Sequence, residues 1–329
     1  MMKRRDFITL LGGAAAWPLA ARAQQRAMPV IGYLAIGSRD AQRERNLVEF
    51  RGGLAEIGYI EGRNLAIEYR WTEGRNQRLP ELASELVRRP VSVIVTSGGT
   101  PAALAAKTAT NSIPIVFSVG TDPVEIGLVA SLNRPGGNLT GIAQLTDAVL
   151  AKRLEILHEL VPSVTTLALL LNPANPRAVE SEMREGQSAA RRLGVNVLVL
   201  NASNAGEIYT AFEKLVEQRA GGLVVSADAN FTMRAEQIVA LAARYAVPAI
   251  YLWRDYPVAG GLMSYGPPVP ENARIQGVYA GRILKGEKPG ELPVQQGTKV
   301  ELIINLKTAR ALGITVPPPL YALATEVIE

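Results

Sequence analysis

Apolar residues fall along this chain in short unbroken runs, separated by longer stretches in which apolar and polar positions alternate at helical spacing. The runs "PVIGYLA" (29–35), "NLAIEYRW" (64–71), "VSVIVTS" (91–97) and "IPIVFSV" (113–119) have the length and β-branched content of buried strands. Between them the spacing predicts helices over 41–57, 77–88 and 101–109. After "NRPGGNLTGIAQ" the cycle resumes with "TLALLLN" (166–172), "VNVLVLN" (195–201), "GGLVVSA" (221–227) and "VPAIYLW" (247–253), again with helical stretches between. Parallel strands need crossover helices, so this order predicts an α/β protein with two Rossmann-like lobes, each a parallel sheet covered on both faces, and a cleft between them.

The proline- and glycine-rich stretch 134–141 and the segment around 260–270, "GGLMSYGPPVPE", break the alternation and predict crossings between the lobes. The helix expected at 272–285 and the tail "VELIINLKTARALGI" need sheets to cover. The expected division is lobe 1 over 28–141, completed by 266–296, and lobe 2 over 142–265, completed by 300–329.

The first residues change the setting. "MMKRRDFITLLGGAAAWPLAARAQQ" joins a basic start, an apolar stretch from Phe7 to Ala21 and the small-x-small site Ala21-Arg22-Ala23, the form of a cleaved export signal over residues 1–23. Arg4-Arg5 resembles the twin-arginine type, with an ordinary secretory signal as the alternative. The apolar run is shorter than the ~20 residues of a membrane span. The expected place of work is the periplasm.

Composition removes several functions. The chain has no Cys, hence no disulfide and no thiolate chemistry, and its single His158 sits in a helical pattern. Residues 1–23 carry Lys3, Arg4, Arg5 and Arg22 against Asp6, so +3 of the formal +5 belongs to the leader and +2 to the rest. That balance gives no reason to expect nucleic acid as a partner. No G-x-S-x-G elbow, P-loop or G-x-G-x-x-G fingerprint is present, and no metal or cofactor is expected.

What does stand out is a repeated device at strand ends. In "VTSGGTPAALAAKTA" Gly98 and Gly99 allow a sharp turn, with Thr100 expected as N-cap and Pro101 at the first helical position. Asp122 before Pro123 and Asn175 before Pro176 repeat it. Three such helix starts at strand carboxyl ends would offer N–H donors to a carboxylate, although each is also an ordinary way to begin a helix.

The stretches "WTEGRNQRLPELASELV", "TSGGTPAALAAKTATNSIPIVFSVGTDPVEIGLVASLNRPGGNLTG" and "VELIINLKTARALGI" resemble the ABC-transporter substrate-binding family that includes tryptophan- and tyrosine-binding components. The resemblance spans nearly the whole chain after the leader. It implies a periplasmic-binding-protein type I fold, lobes joined by a hinge, a small-molecule solute passed to a membrane permease, a monomer, and no enzymatic activity. The solute it implies is an amino acid, aromatic ones included, or another carboxylated compound. A sensor reporting to a signalling partner and a secreted carboxylate-dependent enzyme are the rival readings.

By the same resemblance the site falls on Gly98, Gly99, Thr100, Gly120, Thr121 and Asp122 in lobe 1, and on Asn172, Asn175, Ser226, Asp228 and Asp255 in lobe 2. Thr100 and nearby amides are expected to hold a carboxylate, and Asp228 or Asp255 an ammonium or hydroxyl. Tyr33 and Trp253, expected at the carboxyl ends of the first and last strands, could stack on a flat solute or pack the lobe interior.

Overall fold

The computed structural model describes residues 28–144 and 149–329. The leader expected over residues 1–23 lies outside the described residues.

The chain opens with β1 (Val30–Ala35), α1 (Ala41–Glu56), β2 (Ala66–Trp71), α2 (Leu79–Val87), β3 (Val93–Ser97), α3 (Thr100–Ala109), β4 (Ile115–Val119) and β5 (Leu139–Ala143). It then forms α4 (Leu150–Leu160), β6 (Thr166–Leu171), α5 (Pro176–Leu193), β7 (Asn196–Asn201), α6 (Ala205–Glu217) and β8 (Leu223–Val225). There follow α7 (Ala229–Thr232), α8 (Ala235–Arg244), β9 (Ala249–Tyr251), α9 (Asp255–Val258) and β10 (Met263–Gly266). The last part runs α10 (Val269–Leu284), β11 (Gln295–Gln296), β12 (Glu301–Asn305), α11 (Leu306–Ala311), α12 (Pro318–Leu323) and β13 (Glu326–Ile328).

These strands make two sheets, in the orders β11-β5-β4-β3-β1-β2 and β13-β12-β10-β9-β8-β6-β7. Every pairing in the first sheet is parallel. In the second, β12 runs antiparallel to β10 and carries β13 beside it, a reversal that the strand–helix alternation does not predict. The central strands are apolar on both faces because both faces are covered. In the first lobe Leu47, Phe50 and Leu54 of α1 and Tyr279 and Ile283 of α10 pack on one face. Leu79, Leu82 and Leu86 of α2 and the alanines of α3 pack on the other. The second lobe repeats this with α6 and α8 on one side, α4 and α5 on the other.

The chain passes from the first sheet to the second after β5, returns after β10 to place α10 and β11, and crosses again before β12. The expected crossing at 134–141 is corrected by the sheet itself. That stretch is tied into the first lobe by Ala130 N–H to Pro135 O (2.9 Å) and Gly136 N–H to Gly290 O (3.2 Å), and it leads into β5. Its prolines and glycines mark a loop within one lobe.

Helices α1 and α10 lie unusually close. A Cβ on Gly53 would stand 1.9 Å from Arg274 O, and one on Gly277 would stand 2.1 Å from Phe50 O. Only glycine fits at either contact.

Candidate functional site

In the first sheet β1 lies between β2 and β3, and in the second β6 lies between β7 and β8. Connections leave such a strand toward opposite sides, which opens a crevice at the carboxyl ends where open α/β sheets bind ligands.

On the first wall β3 is followed by Gly98 (φ +100°) and Gly99 (φ +93°). A Cβ on Gly98 would stand 2.6 Å from Ile36 Cβ, so both the backbone angle and the neighbouring strand demand glycine. The turn brings the start of α3 to the crevice. Thr100 is its first residue and Gly99 its N-cap, which corrects the expectation that Thr100 caps with its side chain. Its hydroxyl instead lies 2.8 Å from that of Thr121, which follows Gly120 after β4. Two paired hydroxyls retain one proton to donate elsewhere, and the first-turn amides of α3 add further donors.

Asp122 is corrected too. Its Oδ1 accepts from Val124 N–H (2.8 Å) and Glu125 N–H (3.4 Å), so one carboxylate oxygen is bound into an exposed single turn rather than capping a helix. Tyr33 stands fourth of six residues in β1, away from the strand end. Its ring is buried against Phe50, Tyr69 and Trp71 at centroid distances of 5.3, 5.6 and 6.0 Å, and no face is left for stacking on a solute. Burial raises the pKa of its hydroxyl, opposed first by a hydrogen bond with Ser97 and then by Arg43 and Arg51.

On the second wall Asn172 follows β6, and Ser226 and Asp228 follow β8. Asn172 is the hub. Its Nδ2 donates to Asp228 Oδ1 (2.9 Å), and its Oδ1 accepts from Ser203 Oγ (3.0 Å) and Ala174 N–H (3.1 Å). Asp228 caps α7 by accepting Asn230 N–H at the same Oδ1 (2.8 Å), while its Oδ2 has no donor among the described residues. Asn175 precedes α5 without a side-chain cap bond, and the buried Ser226 accepts Asp228 N–H at its carbonyl (3.0 Å). A water-sized cavity lies between Asn172, Asn175, Glu182, Ser226 and Asp228.

Asp255 opens α9 and Trp253 lies two residues past β9, half-buried against the α6 and α8 side of its lobe, so its ring serves lobe packing. The Asp255 carboxyl has a raised pKa, first because it is desolvated, with Arg45, Arg254 and Arg43 opposing and Asp40 reinforcing the shift. Asp40, Arg43 and Arg45 belong to the start of the first lobe's α1 and its cap, so Asp255 faces across the cleft. Ala229 of α7 likewise packs against the first-lobe cluster that includes Ile36 and Val119.

Three charged residues that the sequence pattern does not single out also border this region. The Arg43 guanidinium lies on Gly37 just past β1, 2.6 Å from where a Cβ would be, and pairs with Asp40. Arg153 of α4 and Glu182 of α5 are buried beneath the second wall. Among the described residues no group of three His, Cys, Asp or Glu could hold a metal, and no helix is long and apolar enough to cross a membrane. A groove of about 440 Å³ between α2 and α3, bordered by Leu79, Pro80, Leu104 and Ala105, lies on the outer flank of the first lobe, not between the walls.

Two doubly wound lobes with facing switch points define a periplasmic-binding-protein type I fold. Residues 34–328 match the family described as ABC transporter substrate binding protein, and the chain belongs to that family. It is similar to the tyrosine-binding protein of Clostridioides difficile (strain R20291), 28% identical over 266 residues that cover 80% of this chain and 75% of the relative. Among solved structures it resembles a conserved domain protein from Vibrio cholerae, with 28% identity, a TM-score of 0.83, and 92% of this chain and 100% of the other covered. An ABC domain from Streptococcus pneumoniae in complex with L-Trp gives 25% identity, a TM-score of 0.83 and the same coverage.

Proposed function

We propose that the protein is the extracytoplasmic solute-binding component of an ABC importer, exported to the periplasm by residues 1–23, and that it captures an amino acid between its lobes by hinge closure and passes it to a membrane permease. The supporting observation is the complementarity of the two walls. The Thr100–Thr121 hydroxyl pair and the α3 amides offer donors, while Asp228 Oδ2 and Asp255 offer acceptors. A zwitterion carries both needs within one small head group: its carboxylate suits the first wall and its ammonium the second. Gly98, Gly99 and Gly120 let the solute approach the first wall closely, and Asn172, Asn175 and Ser226 surround Asp228. The protein acts as a monomer, without cofactor and without chemical change to the solute.

The relatives make L-tyrosine and L-tryptophan the first compounds to try. Thermal denaturation with each at 100 times its dissociation constant should show about 2.7 kcal/mol of added stability. The compound should be recovered intact. Turnover, or the absence of a shift with every proteinogenic amino acid, would refute the reading.

A further inference from the structure

Glu182 and Arg153 are 3% and 0% exposed, yet a charge in the lobe interior costs several kcal/mol unless its polar atoms are satisfied. Both spend hydrogen bonds on the same four residues. Arg153 Nη1 donates to Val225 O at 2.6 Å, and Glu182 Oε1 accepts from Ala227 N–H at 3.3 Å. Those atoms belong to the segment that leaves β8, only three residues long, and carries Ser226 and Asp228 to the cleft. The chain turns at once after Val225, and a backbone group buried in such a turn needs a partner from outside the strand ladder. Side chains from two different helices, α4 and α5, supply partners for the carbonyl before Ser226 and the amide after it. Glu182 also borders the water-sized cavity that Asp228, Ser226 and Asn172 share. An apolar pair would fill the same space without holding either backbone atom.

We propose that Arg153 and Glu182 are positioning residues of the binding site: from beneath the second wall they fix residues 225–228, and through them the direction in which the Asp228 carboxylate meets the solute. The assignment builds on the proposed function, since it takes Asp228 as a solute contact. Toward Ala227, Glu182 acts as a hydrogen-bond acceptor, a role that a neutral amide oxygen at the same place also fills.

The test is titration calorimetry of the purified protein with L-tyrosine and L-tryptophan, alongside amide hydrogen exchange. Glu182→Ala should lower affinity at least tenfold, while Glu182→Gln, which keeps an acceptor oxygen, should remain within about threefold of the unmodified protein. Adding Asp228→Asn to Glu182→Ala should cost much less than Asp228→Asn does alone, because both changes disable one contact. A folded Glu182→Ala variant with unchanged affinity overturns the assignment, and so does a Glu182→Gln variant as impaired as Glu182→Ala. If Glu182→Ala does not fold, the unmodified protein decides: the Ala227 amide should exchange slowly with or without solute, and fast exchange overturns the clamp. Should neither amino acid bind the unmodified protein, the functional reading fails, and the Ala227 exchange rate still judges the clamp.

Discussion

At the scale of single residues the cleft depends on where hydrogen-bond capacity has been spent. Asn172 has both ends of its amide engaged and Asp122 has one oxygen bound into its own turn, whereas the Thr100–Thr121 pair and Asp228 Oδ2 keep capacity in hand. Asp255→Ala should weaken solute binding about tenfold, or roughly 1.4 kcal/mol, in a calorimetric titration. In the first turn of α1, Glu44 is held down to about 2 by its hydrogen bonds with Arg39 and Arg51. A carboxylate with a depressed pKa stabilises the fold above its ordinary value of 4.5 and loses that contribution as pH falls through about 2. Melting curves taken from pH 5 down to pH 2, both approximate limits, should therefore drop more steeply for the unmodified protein than for Glu44→Gln. The turn at Gly98 and Gly99 was legible because two glycines between an apolar run and a Thr-Pro helix start mark a sharp turn, and both take positive φ. The burial of Tyr33 was not, since an aromatic in an apolar run carries no sign of how far the strand continues beyond it. Glu182 was equally hidden: it sits in the highly charged helix Pro176–Leu193, where nothing in the sequence separates the one buried carboxylate from the exposed Glu180 and the half-buried Glu185.

At the scale of elements the alternation of apolar runs with amphipathic stretches was enough to give most of the strands and helices, because parallel strands covered on both faces must be apolar throughout. It failed where length decided. "VGTDPVEIGLVASL" has the start of a helix but forms one turn, closed by Ile126 N–H to Asp122 O at 3.1 Å, before Gly127 takes φ +69°. The antiparallel β12 was also out of reach, because strand direction follows from how the chain re-enters the second sheet and not from its side chains. The α1–α10 contact gives a sharper expectation. Gly277→Ala places a methyl where Phe50 O already stands and should cost about 1–3 kcal/mol, seen as a lower urea midpoint with little change in slope. The neighbouring Ala273→Gly, which adds no bulk, should leave that contact intact.

At the scale of the molecule the two lobes carry complementary charge where they face each other, with Asp255 on one side and Arg45 and Arg43 beside Asp40 on the other. Attraction of this kind across an open cleft is screened once the ions are about 8 Å apart at physiological ionic strength. Solute affinity should accordingly fall as sodium chloride is raised, and Arg45→Gln should flatten that dependence. An unchanged salt response in Arg45→Gln would mean the facing charges do not influence closure. The three passages between the sheets bear on something else, the order in which the protein is made. Thr140 donates its hydroxyl proton to Leu292 O at 2.7 Å, 152 residues further along, and α10 covers a face of a sheet whose first five strands were finished at Ala143. A ribosome must therefore synthesise the central strands of the second lobe while the first lobe still exposes the apolar surface that α10 will cover. The earlier lobe is completed late, so nascent chains released before α10 and β11 should be the ones that chaperones and proteases hold.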